Sequence, residues 1–195
     1  MGRSCSTIWN FRDYVMSKIF FTSDLHFSHQ NILKFCPNTR KYDSVEEMNR
    51  ALIARWQEQV TEEDTVYILG DVFFTKLDEA LSITQQLPGH KHLILGNHDK
   101  VIRNNSELLA CFESVSEYKT ITIDKIHVVL FHFPILNWDR LNYGSFHFHG
   151  HSHGQTPQLG RVMDVGVDTH PLNGLWEWDE LKRKMLTIEI NKIHH

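Results

Sequence analysis

Long apolar runs, cysteine and surplus basic charge are all scarce in this sequence, and each scarcity removes a class of function. No stretch approaches the ~18 apolar residues of a membrane-spanning helix. Residues 1–15 have no apolar core of the kind a secretory signal carries. The three cysteines, Cys5, Cys36 and Cys111, are widely spaced and form no Cys-x-x-Cys pair. That excludes a disulfide framework and suits a reducing, cytoplasmic setting. The 20 basic residues are outnumbered by 24 acidic ones, for a net charge of −4. Bulk attraction to long nucleic acid is therefore not expected. Neither an internal repeat nor a linker interrupts the 195 residues. A chain of this length buries roughly 70% of its unfolded surface as one domain. At 41% hydrophobic and 23% charged it is too apolar for a disordered chain. What is abundant is histidine, 14 in all.

The segment Met16-Ser17-Lys18-Ile19-Phe20-Phe21 reads as the start of the folded domain, which leaves 1–15 as an extension and 16–195 as the domain. Lys18–Ser23 is a short apolar run, read as a buried strand. Ser44 with Glu47 forms a capping box before Val45, Met48, Leu52, Trp56 and Val60, so 45–59 is an amphipathic helix. Thr65–Leu69 is a second strand, closed by Gly70-Asp71. Leu77–Leu87 reads as a helix with Leu77, Ala80, Leu81, Thr84 and Leu87 inward, stopped by Pro88-Gly89. His92–Leu95 is a third strand and Ser106–Phe112 a short helix. Thr120–Ile123 and Ile126–Phe131 flank Asp124-Lys125 as a hairpin. Phe146–His149, Arg161–Val167 and Lys184–Ile190 are later strand candidates. The order describes an α/β first half feeding a mixed or antiparallel second half.

The polar residues cluster just after these strands. Strand one ends in Asp24-Leu25-His26, strand two in Gly70-Asp71, strand three in Gly96-Asn97-His98-Asp99. The later strands end in His132-Phe133-Pro134 and Gly150-His151-Ser152-His153. In an α/β sheet the C-terminal strand ends line a common crevice. Asp24-x-His26 and His151-x-His153 have a spacing that, in extended backbone, puts both side chains on one face. Each pair is then expected to grip a metal from one side. Oxygen and imidazole donors without thiolate suit Mn, Fe, Zn or Ni. The seven donors Asp24, His26, Asp71, Asn97, His132, His151 and His153 exceed one tetrahedral ion. They fit two ions with a bridging carboxylate.

This series of motifs resembles the calcineurin-like metallophosphoesterase family over residues 18–190. Asp24-Leu-His26-Phe-Ser-His29-Gln-Asn31, the Trp138 loop and Val165-Gly166-Val167-Asp168 resemble a small bacterial and phage subgroup of it. The resemblance implies an α/β, four-layer αββα sandwich of two mixed sheets flanked by helices. It also implies two divalent metals, manganese foremost, with Fe, Zn or Ni as alternatives. Asp24, His26, Asp71 and His153 would hold one; Asp71, Asn97, His132 and His151 would hold the other; Asp71 would bridge. The protein Ser/Thr phosphatases of the superfamily carry a second Asp and an Arg-Gly after the Gly-Asp. Here Gly70-Asp71 is followed by Val72-Phe73-Phe74-Thr75-Lys76, with Phe74 where a carboxylate would orient the motif histidine. A protein-phosphatase activity is not expected.

The chemistry of such a centre is direct. Two divalent ions against two carboxylates leave a site of roughly +2, which attracts a phosphate ester. Ions ~3.5–4 Å apart can acidify a shared water and present hydroxide to phosphorus. Asn97 would steady the non-bridging oxygens, and His98 is the candidate to protonate the leaving alkoxide. His29 and Arg140, the latter through its guanidinium fork, are further candidates for holding the phosphate. His147 and His149 alternate with Phe146 and Phe148 and read as core or supporting residues. His127 and His170 read as structural or exposed. The expected function is hydrolysis of a phosphomonoester or phosphodiester on a small or short nucleotide substrate. A non-catalytic scaffold of the same fold is the alternative, and intact ligand motifs argue against it.

Overall fold

The computed structural model describes residues 17–157 and 159–190. The proposed extension 1–15, Cys5, His194 and His195 lie outside the described residues. Four strands, β1 (Ile19–Thr22), β2 (Thr65–Ile68), β3 (His90–Ile94) and β4 (Ser114–Ser116), run parallel in one sheet. A two-residue strand, β9 (Trp176–Glu177), pairs antiparallel with β1 at its edge. The second sheet holds β5 (Tyr118–Ile123), β6 (Ile126–Phe131), β7 (Phe146–His149) and β8 (Val162–Asp164). Its first pair is antiparallel and the other two are parallel. Both sheets are thus mixed, as the family resemblance implied.

Alternation along the strands decides the layers. Phe20, Val66, Ile68 and Leu93 point to one side of the first sheet. There they meet Ile32 of α1 (Ile32–Phe35), Met48, Leu52 and Trp56 of α2 (Val45–Gln59), Ala80 and Ile83 of α3 (Leu77–Thr84), Ile102 of α4 (Lys100–Arg103) and Leu108 of α5 (Ser106–Leu109). Phe21, Leu69 and Ile94 point to the other side, against Val128, Leu130, Phe146 and Phe148 of the second sheet. The helix α6 (Trp178–Leu186) adds Trp178, Leu181 and Met185 to this inter-sheet core. The outer face of the second sheet buries Val129 and Val162 under Trp138, in the loop that ends in a 3₁₀ turn at Leu141–Tyr143.

Several sequence expectations need correction. The strand expected at Lys184–Ile190 is instead the end of α6. Met185 completes a Trp178, Leu181, Met185 helical stripe, and that burial outweighs the alternation of Thr187 to Ile190. α3 stops at Thr84, so Leu87 reaches the core from a turn; Leu77 and Leu81 pack half-buried against that core as expected, and Ile83, outside the expected stripe, is buried in it. The third strand begins two residues early, at His90, and β8 covers only the middle of Arg161–Val167. The capping box forms with a shift. Ser44 Oγ accepts from Glu47 N–H at 3.1 Å, while Glu47 Oε2 accepts from Asp43 N–H at 2.8 Å. Asp124 and Lys125 have φ of 51° and 66°, the primed turn that matches strand twist in a hairpin. Cys36 and Cys111 are free thiols. Among the described residues no helix is long and apolar enough to cross a membrane.

Candidate metal centre

The C-terminal ends of β1, β2 and β3 meet those of β6 and β7, and hydrogen bonds stitch the two sheets together there. Across the sheets Val167 N–H donates to Ser23 O at 3.1 Å and His151 N–H to Asp24 Oδ2, while Gly150 N–H donates to His132 O at 2.9 Å and continues the β6–β7 pairing. Beyond β1 and β2 the chains remain paired: Asp24 N–H reaches Gly70 O, and His26 N–H reaches Asp71 O, both at 3.0 Å. The backbone is not extended here. Asp24, His26, Asp71, His151 and His153 have φ of 54°, 49°, 55°, 66° and 47°. Non-glycine residues adopt this left-handed region uncommonly, and such strain collects at functional sites.

This overturns the expectation that each i, i+2 pair works as an extended unit. Asp24 and His26 do share a cluster, with His153, their donor atoms all within 4.8 Å. His151 instead joins Asp71 and His132 in a second cluster of the same tightness. The two left-handed kinks turn His151 and His153 toward different neighbours. The clusters adjoin: Asp24 Oδ2 accepts from His151 N–H at 2.8 Å, and the His132 and His151 rings of the second lie 5.2 Å apart, as do the His26 and His153 rings of the first. Glycine is required for this closeness. A Cβ on Gly150 would collide with Ser23 Oγ and come within 2.5 Å of Asp24 Oδ2.

The donors fit a cation. Asp24 Oδ1 and both ring nitrogens of His26 are buried with no hydrogen-bond partner, a costly state that a bound ion would relieve. His132 Nδ1 lies 2.6 Å from Leu69 O, which fixes the proton there. Its Nε2 then faces Asn97 Oδ1 at 3.1 Å and Asp71 Oδ2 at 3.5 Å. Three lone pairs converging on one point call for a proton or a metal. Burial alone would lower the His132 pKa, but Asp71 and Asp24 prevail and raise it to about 9. Burial likewise opposes ionisation of Asp24 and Asp71, yet the adjacent histidines hold both pKa values down.

A metal-uptake prediction follows. Ligation needs the neutral imidazole, so filling this cluster below pH ~9 must expel the His132 proton. This group alone should raise affinity up to about tenfold per pH unit until that pH. Titration calorimetry at pH 7.5 in buffers of different ionisation heat is expected to show the released proton. Identical apparent heats in all buffers would contradict it.

Supporting residues escaped the sequence reading. Asp168 Oδ2 lies 2.7 Å from His153 Nδ1 and orients that ring. Arg40, buried in an irregular loop, donates Nε to Asp168 Oδ1 at 2.7 Å and Nη2 to Asp168 Oδ2 at 2.8 Å. The same guanidinium donates to Asp24 O at 2.5 Å and to Leu25 O at 3.2 Å. Burial disfavours ionised Asp168, but His153, Arg40 and Thr39 hold it well below the usual carboxylate range. Asp99 accepts from the N–H groups of Asp71, Val72 and Gly96 at 2.9, 2.8 and 2.7 Å, fastening two motif loops. Asp164 accepts from Ser152 Oγ at 2.6 Å and Gly154 N–H at 2.9 Å, fixing the turn between β7 and β8. Asp168 had a signal, its place in the Val165-Gly166-Val167-Asp168 motif, but the motif attaches no role to it. Arg40 had none, because a lone arginine beside Lys41 reads as a solvated charge.

Other candidates fall as follows. His98 is exposed; its N–H donates to Asp71 Oδ1 at 2.9 Å, and its ring lies 4.7 Å from Phe74 and 6.2 Å from His26. His29 stacks flat on Phe74 at 3.8 Å, and burial aided by His26 and His98 lowers its pKa to about 4. Arg140 is exposed, its Nε 4.0 Å from Asp139 Oδ2. His147 is buried; Nδ1 lies 3.2 Å from Val129 O and Nε2 accepts from Ile135 N–H at 3.1 Å. His149 Nδ1 lies 2.8 Å from Gly150 O.

Two mixed sheets presenting this donor set along a shared edge define an α/β protein of the metal-dependent phosphoesterase type. The model of the calcineurin-like phosphoesterase family matches residues 17–176, and the chain belongs to that family. The family depends on divalent metals. An uncharacterized protein of Methanocaldococcus jannaschii is 34% identical over 140 residues, covering 71% of this chain and 70% of its own. The Gene 66 protein of Mycobacterium phage L5 is 31% identical over 187 residues, covering 78% of this chain and 87% of its own. A solved protein of unknown function from Aquifex aeolicus shares the fold, with TM-score 0.68 at 24% identity, over 87% of this chain and all 100% of its own.

Proposed function

We propose that this protein hydrolyses a phosphodiester or phosphomonoester with two divalent cations, manganese the first candidate, held by the two clusters. The observation that carries the reading is the pair of adjoining clusters with buried, unpartnered donor atoms. Asp24, His26 and His153 would hold one cation, Asn97, His132 and His151 the other, and Asp71 would serve both. When bound, the cations supply positive charge for the phosphate oxygens and acidify water.

The chain's own residues do the rest. Asn97 and His98 are exposed at the mouth of the site, where a phosphate oxygen can reach them. His98 is held by its backbone on Asp71 Oδ1, so its ring stays at that mouth. No carboxylate orients the ring among the described residues; Phe74 occupies that side. His98 is therefore a donor to the leaving oxygen that gains its partner only from substrate. His98→Ala is expected to keep its metal and lose roughly 10²–10⁴-fold in kcat on an alkyl ester. The loss should be smaller with a nitrophenolate leaving group, which needs no proton. Metal lost in step with activity would instead place His98 among the ligands.

The test of the reading is metal-reconstituted protein assayed on mono- and bis-nitrophenyl phosphates with Mn, Ni, Zn and Fe counted per chain. Two bound ions and turnover are expected. Fewer than about one ion under every condition would favour a non-catalytic scaffold.

A further inference from the structure

We infer that the aromatic row Phe133, Phe131 and Tyr118 is the nucleobase subsite of a short nucleotide phosphodiester substrate. The inference rests on the phosphoesterase reading of the adjoining centre and adds the substrate class. Phe133 directly follows His132, and its ring lies 4.7 Å from that of His151 and 4.9 Å from that of His132. Phe131 meets Phe133 at 5.6 Å, edge to face, and Tyr118 meets Phe131 at 6.2 Å. Tyr118 and Phe131 are directly opposite partners of the β5–β6 ladder. Strand alternation explains the arrangement. His132 points inward to the centre while Phe131 and Phe133, on either side of it, point outward. The row begins at the candidate ligands and ends in solvent, with Phe133 36% and Tyr118 47% exposed.

Large exposed rings joined into one surface are unusual unless something covers them. Purine and pyrimidine bases stack on such rings without demanding a particular sequence. A base attached to a phosphate at the centre lies on this side. The opposite side also ends in an exposed ring, Phe35 at 68%, but that ring reaches the candidate ligands only through His29, 6.1 Å away. Phe74 there is covered by His29 at 3.8 Å and bounded by His26 at 5.1 Å and His98 at 4.7 Å. Charge limits the length of the substrate. Near the row, Lys119 Nζ bonds Ser114 Oγ, Arg103 pairs with Glu117, and Asp139 is acidic. A polymer backbone needs a track of free cations, so the occupant is a mono- or dinucleotide-sized ester.

The experiment is a fluorescence titration of metal-loaded protein with a dinucleotide containing 2-aminopurine, whose emission falls on stacking. Wild type, Phe133→Leu and Tyr118→Leu are compared, with an abasic dinucleotide of the same phosphodiester as competitor. Quenching is expected in wild type, with affinity reduced on the order of tenfold in Phe133→Leu and the abasic competitor correspondingly weak. Hydrolysis of both dinucleotides is followed in parallel. KM for the base-bearing substrate should rise in Phe133→Leu, and KM for the abasic one should not. Equal affinity for both dinucleotides, or wild-type quenching in both variants, overturns the base subsite while leaving the phosphoesterase reading intact. Quenching without hydrolysis of either compound does the reverse. If Phe133→Leu changes only the mass measured by light scattering, the row is a contact between copies and the inference fails.

Discussion

Asp71→Asn is expected to abolish metal-dependent hydrolysis while leaving the chain folded. The substitution preserves shape, so the amide oxygen can still accept from His98 N–H as the carboxylate does at 2.9 Å. The backbone remains pinned, because Asp99 Oδ2 accepts from Asp71 N–H at 2.9 Å independently of the side chain. What disappears is the negative charge beside His132 Nε2, 3.5 Å away. That charge favours a cation in the second cluster and, through its shared position, in the first. Loss of a residue that merely supports a ligand costs about 10–100-fold in metal affinity or activity. Loss of the charge itself should exceed that and reach more than about 100-fold in metal affinity. Elemental analysis and turnover on bis-nitrophenyl phosphate check it, with circular dichroism to establish the fold. Full metal content with turnover within tenfold of wild type would remove Asp71 from its assigned role.

The largest stability effect is expected at a residue with no sequence signal. Arg40→Met leaves Asp168 buried without its guanidinium, and frees the carbonyls of Asp24 and Leu25. Breaking a buried pair from one side costs about 3–5 kcal/mol. Urea unfolding of the metal-free protein should register most of that loss. The double variant Arg40→Met, Asp168→Leu should recover part of the stability, because no unpaired charge remains. It should not recover metal affinity, since His153 has lost the carboxylate at 2.7 Å that orients it. Arg40→Lys is expected to fall between, keeping charge but losing the planar fork that bonds two oxygens of Asp168 at once. Wild-type stability in all three variants would show that the buried pair is not a structural support.

Much of the fold was legible because burial writes itself into local patterns. The stripe Val45, Met48, Leu52, Trp56 predicts α2, and the structure buries those same residues. The strands β1, β2 and β7 are apolar runs bounded by turn residues, and they appear where expected. The two shortest strands of the first sheet were not legible. β4 and β9 hold only three and two residues, too few for a period to show. The end of α6 was misread because Thr187-Ile188-Glu189-Ile190 alternates like a strand, while Met185 is claimed by packing against Trp178 and Leu181.

The candidate site divides in the same way. Residue type and position at strand ends are sequence properties, so Asp24, His26, Asp71, Asn97, His132, His151 and His153 could be gathered before any coordinates. Their spacing alone could not divide those donors between two clusters; only the family resemblance offered a division. His151 and His153 are two residues apart, yet left-handed kinks of 66° and 47° send them to different neighbours. Backbone sign at a non-glycine residue is set by tertiary hydrogen bonds, here His151 N–H to Asp24 Oδ2, and leaves no trace in the residue type. The burial of Arg40 is decided at the same level. Asp168, 128 positions away, turns an ordinary loop arginine into the support of His153, and only a folded chain brings the two together.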